Sequence, residues 1–249
     1  MSGRDGYEAI VFDLDGVLVD SEGIGFETLR AHLGTHGVDY RVEDNEPFIG
    51  INDRDHFGAL KAQHGLAPSV DELIAEQTAR LLAQIETRTI PMPGVPRVPE
   101  RLSAAGYPLA VASSSLPEVV EARLVALGIR RLFGVVVSSF QVPRGKPAPD
   151  VFLEAARRLG VRAEACLVVE DSAHGLRAAK AAGMRCAVVP TAGRWPEGVA
   201  DVRLTSLLDL EPLLLPYGGP SHGPPKPPDA RSAPAQPGRS SERSGGPLA

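Results

Sequence analysis

Short apolar runs, each closed by a polar or acidic residue, occupy the start and the second half of this chain and are missing between. Residues 9–12 form the first run, which stops at Asp13. Further runs at 108–112, 135–137, 166–169 and 186–189 are continuous rather than alternating, as in strands buried on both faces. Helical spacing fills the intervals 95–105, 117–127, 150–159 and 173–182. Strands alternating with helices predict βαβ units and a parallel sheet.

Residues 22 to about 90 differ in texture. They hold helix-like segments at 26–36, 53–64 and 70–85 and no convincing strand run. Pro91-Met92-Pro93-Gly94 closes the stretch as a hinge or boundary. The expected organisation is a catalytic core from 1–20 and 91–216, a helical cap from 21–90 and a disordered tail from 217–249. An insert after the first strand's loop would stand over the sheet edge and serve as a lid that excludes water and supplies specificity.

Composition narrows this little. The chain has 249 residues and a formal net charge of −5, so nothing global points to nucleic acid or to an anionic membrane. The tail is rich in Pro, Gly and Ser and cannot bury enough to offset its ordering entropy. The tail's Lys226, Arg231, Arg239 and Arg243 against Asp229 and Glu242 sum to +2, leaving about −7 on the folded part. The first residues lack the charged-then-apolar pattern of a secretory signal, and no apolar stretch approaches a membrane span, so a cytoplasmic location is expected. Cys166 and Cys186 fit no metal spacing and read as buried thiols.

Four segments carry chemistry, and each falls at the end of a strand-like run. The loops after parallel strands converge on one edge, where ligands bind. In Asp13-Leu14-Asp15-Gly16, two carboxylates two residues apart can reach one ligand. One could attack phosphorus and the other could move a proton. Glu170-Asp171 repeats the theme. Asp13 and Asp171 directly, with Glu170 directly or through water, could hold a hard divalent cation such as Mg²⁺. Ser113, followed by Ser114 and Ser115, stands before a helix and offers a hydroxyl and backbone N–H groups to anionic oxygen. Lys146, in a proline-stiffened loop, could neutralise phosphate charge. Alone, each segment also reads as a turn, a helix cap or a solvated lysine; placement and order make the case.

Together these residues resemble the haloacid dehalogenase superfamily. Val11-Phe12-Asp13-Leu14-Asp15-Gly16-Val17-Leu18-Val19-Asp20-Ser21 is similar to its first motif. Ser113, Lys146-Pro147-Ala148-Pro149-Asp150 and Glu170-Asp171-Ser172-Ala173-His174-Gly175 are similar to the other three, in order. The likeness covers about residues 9–190 and is nearest to the capped branch with phosphoglycolate phosphatase and beta-phosphoglucomutase. It implies an α/β fold, a Rossmann-like parallel sheet with a small helical cap inserted after the first strand. It further implies Asp13 as nucleophile, Asp15 as acid and base, and Ser113 and Lys146 on the phosphoryl group. Mg²⁺ would lie at Asp13, Asp171 and the Asp15 carbonyl, supported by Glu170.

Departures from the pattern narrow the reaction. Dehalogenases of the superfamily lack the second aspartate, so Asp15 favours phosphate chemistry. Asp53 stands where phosphonatases carry a Schiff-base lysine. Gly25, Leu116 and Pro117 replace a histidine, a lysine and an asparagine of beta-phosphoglucomutase. The expectation is a Mg²⁺-dependent phosphatase acting on a small phosphorylated metabolite through an aspartyl-phosphate. A sugar-phosphate mutase and a non-catalytic binding protein are the alternatives. In the cap, Arg54, His56 and Lys61 are candidates for substrate contact; a bidentate arginine suits phosphate or carboxylate.

Overall fold

The computed structural model describes residues 6–48, 51–190 and 195–215. The tail expected to be disordered, 217–249, lies outside the described residues.

The chain opens with β1 (Ala9–Phe12) and a two-residue strand β2 (Val19–Asp20). Four helices follow: α1 (Glu22–Thr35), α2 (Val42–Asn45), α3 (Asp53–His64) and α4 (Val70–Arg88). Then come β3 (Ile90–Pro91), α5 (Arg97–Ala104), β4 (Leu109–Ser113), α6 (Pro117–Ala126) and β5 (Val135–Ser138). The remainder is α7 (Asp150–Leu159), β6 (Cys166–Glu170), α8 (Ala173–Ala181), β7 (Arg185–Val188), β8 (Val202–Arg203) and α9 (Leu210–Leu214).

Six of the strands form one sheet in the order β5-β4-β1-β6-β7-β8, and every pairing is parallel. The chain builds from β1 through β4 to β5 on one side, then returns to β6 on the other side of β1. Loops leaving β1 and β6 therefore diverge, which opens a crevice at the carboxyl ends of those two strands.

Period-two alternation divides the core between the two faces of the sheet. Ile10, Phe12, Val111, Leu167 and Val169 pack with Val98, Leu102, Val120 and Leu124 on one face. Ala9, Val11, Ala110, Val168 and Cys186 pack with Val151, Phe152, Ala178 and Ala179 on the other. Both cysteines are buried free thiols, as expected. A third cluster, built on Leu29, Leu33, Phe57, Leu60, Leu73 and Ile74, holds α1, α3 and α4 together, with Leu116 and Phe140 from the sheet's own loops packed against it. Local signals set the helix ends. Asn52 caps α3 by accepting from the Asp55 N–H at 3.0 Å, and Ser69 and Glu72 form a reciprocal capping box on α4.

Two elements escape the sequence pattern. β2 and β3 pair antiparallel, Val19 with Pro91 and Asp20 with Ile90, where the chain enters and leaves the helical insert. Pro91 thus belongs to a ribbon at the end of the helical insert. Strands of two residues are too short to display a period. The apolar stretch over 207–215 forms α9, which packs on α5. No helix among the described residues is long and apolar enough to cross a membrane.

Candidate active site

The crevice is a cavity of about 420 Å³ lined from both sides, by the β1, β4 and β6 loops and by the helical insert. Asp13 follows β1 directly, and its backbone N–H donates to Val169 O at 2.9 Å, which fixes it beside the end of β6. Lys146 reaches in from the loop before α7. Its Nζ donates to Asp13 Oδ1 at 2.5 Å, Glu170 Oε1 at 2.6 Å and Ala112 O at 3.2 Å. The ammonium is 3% exposed and rests 4.9 Å from the Phe152 ring centroid. Burial works against its charge, but Asp13 and Glu170 outweigh burial and hold the lysine protonated, above its ordinary range. Burial pushes the Asp13 carboxyl up, with Lys146 opposing and the Glu170 and Asp15 charges adding to the rise.

Glu170 is the most tightly held acid. While one oxygen takes Lys146, the other accepts from the Asp171 N–H (2.8 Å), the Ser172 N–H (2.9 Å) and Ser172 Oγ (3.0 Å) at the start of α8. That packing leaves no room for a side chain at Gly175, where a Cβ would fall 1.7 Å from Glu170 Oε1. Gly16 answers to the same constraint from the other loop. Its φ is +75°, and a Cβ there would lie 1.9 Å from Asp171 Oδ2. The glycine after Asp15 thus lets the β1 loop close onto Asp171. Asp13, Glu170 and Asp171 each offer an oxygen within 4.8 Å of the others, an all-oxygen set of the kind hard divalent cations take.

Asp15 stands on the insert side of Asp13. Arg123 Nη1 on α6 donates to its Oδ1, and Ser115 Oγ donates to its Oδ2 at 2.9 Å. Asp53, at the start of α3, also lines the cavity. Burial, then the charge of Asp15, pushes its carboxyl up to about 6, with Arg123 pulling the other way.

The haloacid dehalogenase-like hydrolase family matches residues 7–183, which include Asp13, Asp15, Ser113, Lys146, Glu170 and Asp171. The chain belongs to that family.

Among relatives, this haloacid dehalogenase-like hydrolase is 34% identical to fructose-1-phosphate phosphatase YqaB of Escherichia coli, over 72% of this chain and 94% of that one. It is 33% identical to the bifunctional riboflavin kinase/FMN phosphatase of Arabidopsis thaliana, over 81% of this chain and 54% of that one. The chain therefore spans about half the length of the bifunctional relative. CbbY from Rhodobacter sphaeroides, solved in complex with phosphate, superposes with a TM-score of 0.75 at 30% identity, covering 82% of this chain and 96% of that one. The expected family and its Rossmann-like fold are met.

The structure treats the expected site residues unequally. Asp13, Asp15, Lys146, Glu170, Asp171 and Ser114 line the cavity. Ser113 does not: it is fully buried, and its Oγ accepts the Ser115 N–H at 3.0 Å, shaping the loop that presents Ser114 and Ser115. Arg54 also stays outside; it is exposed and ion-paired with Asp71 at 2.8 Å along the insert surface. Lys61 closes the turn after α3 by donating to the carbonyls of Leu66 and Pro68. His56 does line the cavity, stacked on Phe48 at 4.2 Å, with Nε2 sharing a 3.2 Å hydrogen bond with the Tyr40 hydroxyl. Burial pushes its imidazole down to about 4, so the ring is neutral near pH 7.

Arg123, Ser115 and Asp53 were not picked out from sequence as site residues. For Arg123 a signal existed. It lies four and three residues from Val119 and Val120 and beside Leu124, on the buried face of α6, where a charge requires a partner.

Proposed function

We propose that the protein is a Mg²⁺-dependent phosphatase that hydrolyses a small sugar- or polyol-monophosphate through an aspartyl-phosphate on Asp13. The observation that carries this reading is the meeting of Asp13, Lys146, Glu170 and Asp171 at one end of the cavity with Asp15 beside them. The Asp13 carboxylate attacks phosphorus, and the ester oxygen departs with a proton from Asp15. Asp15 then takes a proton from the water that releases phosphate from Asp13. Lys146 offsets charge on the transferring group, and Ser114 and Ser115 stand at the loop end nearest to it. Asp13 and Asp171, with the Asp15 carbonyl, would hold Mg²⁺, and Glu170 would orient that set. The cation supplies positive charge that offsets repulsion between carboxylate and phosphate.

The helical insert acts as the cap that selects substrate. Its cavity wall carries Glu22, Asn45, Asp53, Gln77 and the neutral His56 among apolar groups such as Phe26 and Phe48. Among the described lining residues the insert contributes neither lysine nor arginine. Amides and carboxylates suit hydroxyl groups, whereas a second phosphate or a carboxylate would meet Asp53 with no lysine or arginine from the insert to receive it. That favours a monophosphate over a bisphosphate or phosphoglycolate. It also weighs against a mutase, which must hold a second phosphate. The likeness to a fructose-1-phosphate phosphatase points the same way.

The test is phosphate release from hexose, hexitol and pentose monophosphates, phosphoglycolate and sugar bisphosphates, with Mg²⁺ or with chelator. Metal-dependent release from monophosphates is expected. Isomerised sugar phosphate without phosphate release, or no turnover of any compound, would overturn the reading.

A further inference from the structure

A second set of metal-ligating side chains lies in the helical insert, outside the five acids and bases that form the catalytic end of the cavity. His32 on α1 and His36 at its C-cap are four residues apart and so fall on one helix face. Glu76 on α4 faces both: its Oε2 is 3.1 Å from His32 Nε2 and 3.7 Å from His36 Nε2. The imidazole centroids are 5.4 Å apart.

The hydrogen bonding there does not close with protein atoms alone. His32 Nδ1 lies 3.2 Å from Gln77 Oε1, an acceptor, so Nδ1 carries the ring proton. His32 Nε2 then presents a lone pair to the Glu76 carboxylate. His36 Nε2 is buried and has no hydrogen-bond partner. Two acceptor atoms, His32 Nε2 and Glu76 Oε2, thus face one another with no donor between them, and the buried His36 Nε2 beside them is left without a partner. Turning the Gln77 amide would let His32 Nε2–H serve Glu76, but would leave His36 Nε2 as it is.

We infer that His32, His36 and Glu76 form a binding site for a divalent transition-metal ion, with Zn²⁺ the best match among common ions. Zinc bonds of about 2.1 Å in a tetrahedron put ligand atoms about 3.4 Å apart, between the two separations observed. Glu76 is half exposed, which leaves the fourth position to water. Gln77 is the partner that fixes the His32 tautomer, as metal-bound histidines usually have. Arg80, on α4, also acts on His32 electrostatically, so a cation must bind here by coordination rather than by field. That suits an ion with affinity for imidazole and excludes Mg²⁺, which prefers oxygen. The site is independent of the phosphatase reading.

Zn²⁺ titrated calorimetrically into the metal-stripped full chain, with Mg²⁺ in large excess to occupy the acidic cluster, tests this. Co²⁺ in place of Zn²⁺ reports tetrahedral nitrogen and oxygen ligation through its visible spectrum. One Zn²⁺ per chain is expected, with affinity weakened at least tenfold in both His36→Ala and Glu76→Gln. His36→Ala should keep Mg²⁺-supported activity and the native circular dichroism spectrum. Absence of Zn²⁺ binding in the unsubstituted protein, or equal binding in it and both variants, would overturn the inference.

Discussion

Arg123 on α6 and Ser115 at the end of the β4 loop together hold both oxygens of Asp15. The guanidinium is almost fully buried and the carboxylate about one-third exposed, so the pair anchors at the cavity wall the carboxylate that we propose moves the proton. Under that proposal Arg123 is a positioning residue, tying Asp15 to the packing of a core helix.

Substituting Arg123→Met keeps the apolar stem and removes the fork. Asp15, left with Ser115 alone, should cost on the order of 1–3 kcal/mol of stability. Turnover should fall by about 10- to 100-fold with KM little changed if Arg123 acts through Asp15 rather than on substrate. Steady-state kinetics beside a denaturant melt measure both, and a rise in KM at constant kcat would assign Arg123 to binding instead.

Asp53 should act as the selector against a second anion. Its carboxyl ionises near pH 6, so wild-type discrimination against a sugar bisphosphate should strengthen between pH 5 and pH 7.5. Asp53→Asn should flatten that pH dependence and raise kcat/KM for the bisphosphate about tenfold relative to the monophosphate. Unchanged ratios at both pH values would remove Asp53 from specificity.

His56 predicts a pH-dependent stability. The unfolded imidazole takes its proton near pH 6.5, whereas burial defers this to about 4 in the folded chain. Between those values the unfolded state binds more protons, so this residue's contribution is complete above about pH 6.5 and is lost as pH falls towards 4. The loss should be about 2 kcal/mol after allowance for partial exposure, and His56→Gln should lack it. Denaturant melts of both proteins at pH 7 and pH 4.5 give the comparison; parallel losses would contradict it.

Gly16→Ala places a methyl group on Asp171 at a backbone conformation that favours glycine. The β1 loop must then withdraw from Asp171. Activity at saturating substrate should fall at least 100-fold, with a higher Mg²⁺ requirement and a stability loss of about 1–2 kcal/mol. Recovery of full rate by added Mg²⁺ would limit the residue's role to metal affinity.

What could be read in the sequence follows from what leaves a periodic or spaced trace. Continuous apolar runs at 9–12 and 166–169 marked central strands, because both faces of the sheet are covered. The α3 boundaries were readable to the residue, since Asn52 and Gly65 carry the capping chemistry. The loop acids were legible because parallel topology delivers strand ends to one edge. Long side chains were not. Arg54 and Lys61 chose local partners, Asp71 and the Leu66 and Pro68 carbonyls, that depend on how α3 meets α4. Ser113 turned into the loop to brace Ser115, a choice only the backbone path decides. Arg123 became a site residue through a contact 108 positions away along the chain.

The central claim is that Asp13 is the nucleophile, and a trapped intermediate addresses it most directly. The protein would be acid-quenched during steady-state turnover of a monophosphate substrate, reduced with borohydride and analysed by peptide mass spectrometry. An acyl phosphate at Asp13 would be reduced to homoserine at that position. This conversion is expected at Asp13 alone, dependent on substrate and Mg²⁺, with Asp13→Asn folded but inactive. Sustained turnover with Asp13 unmodified, or reduction at another carboxylate, would contradict it.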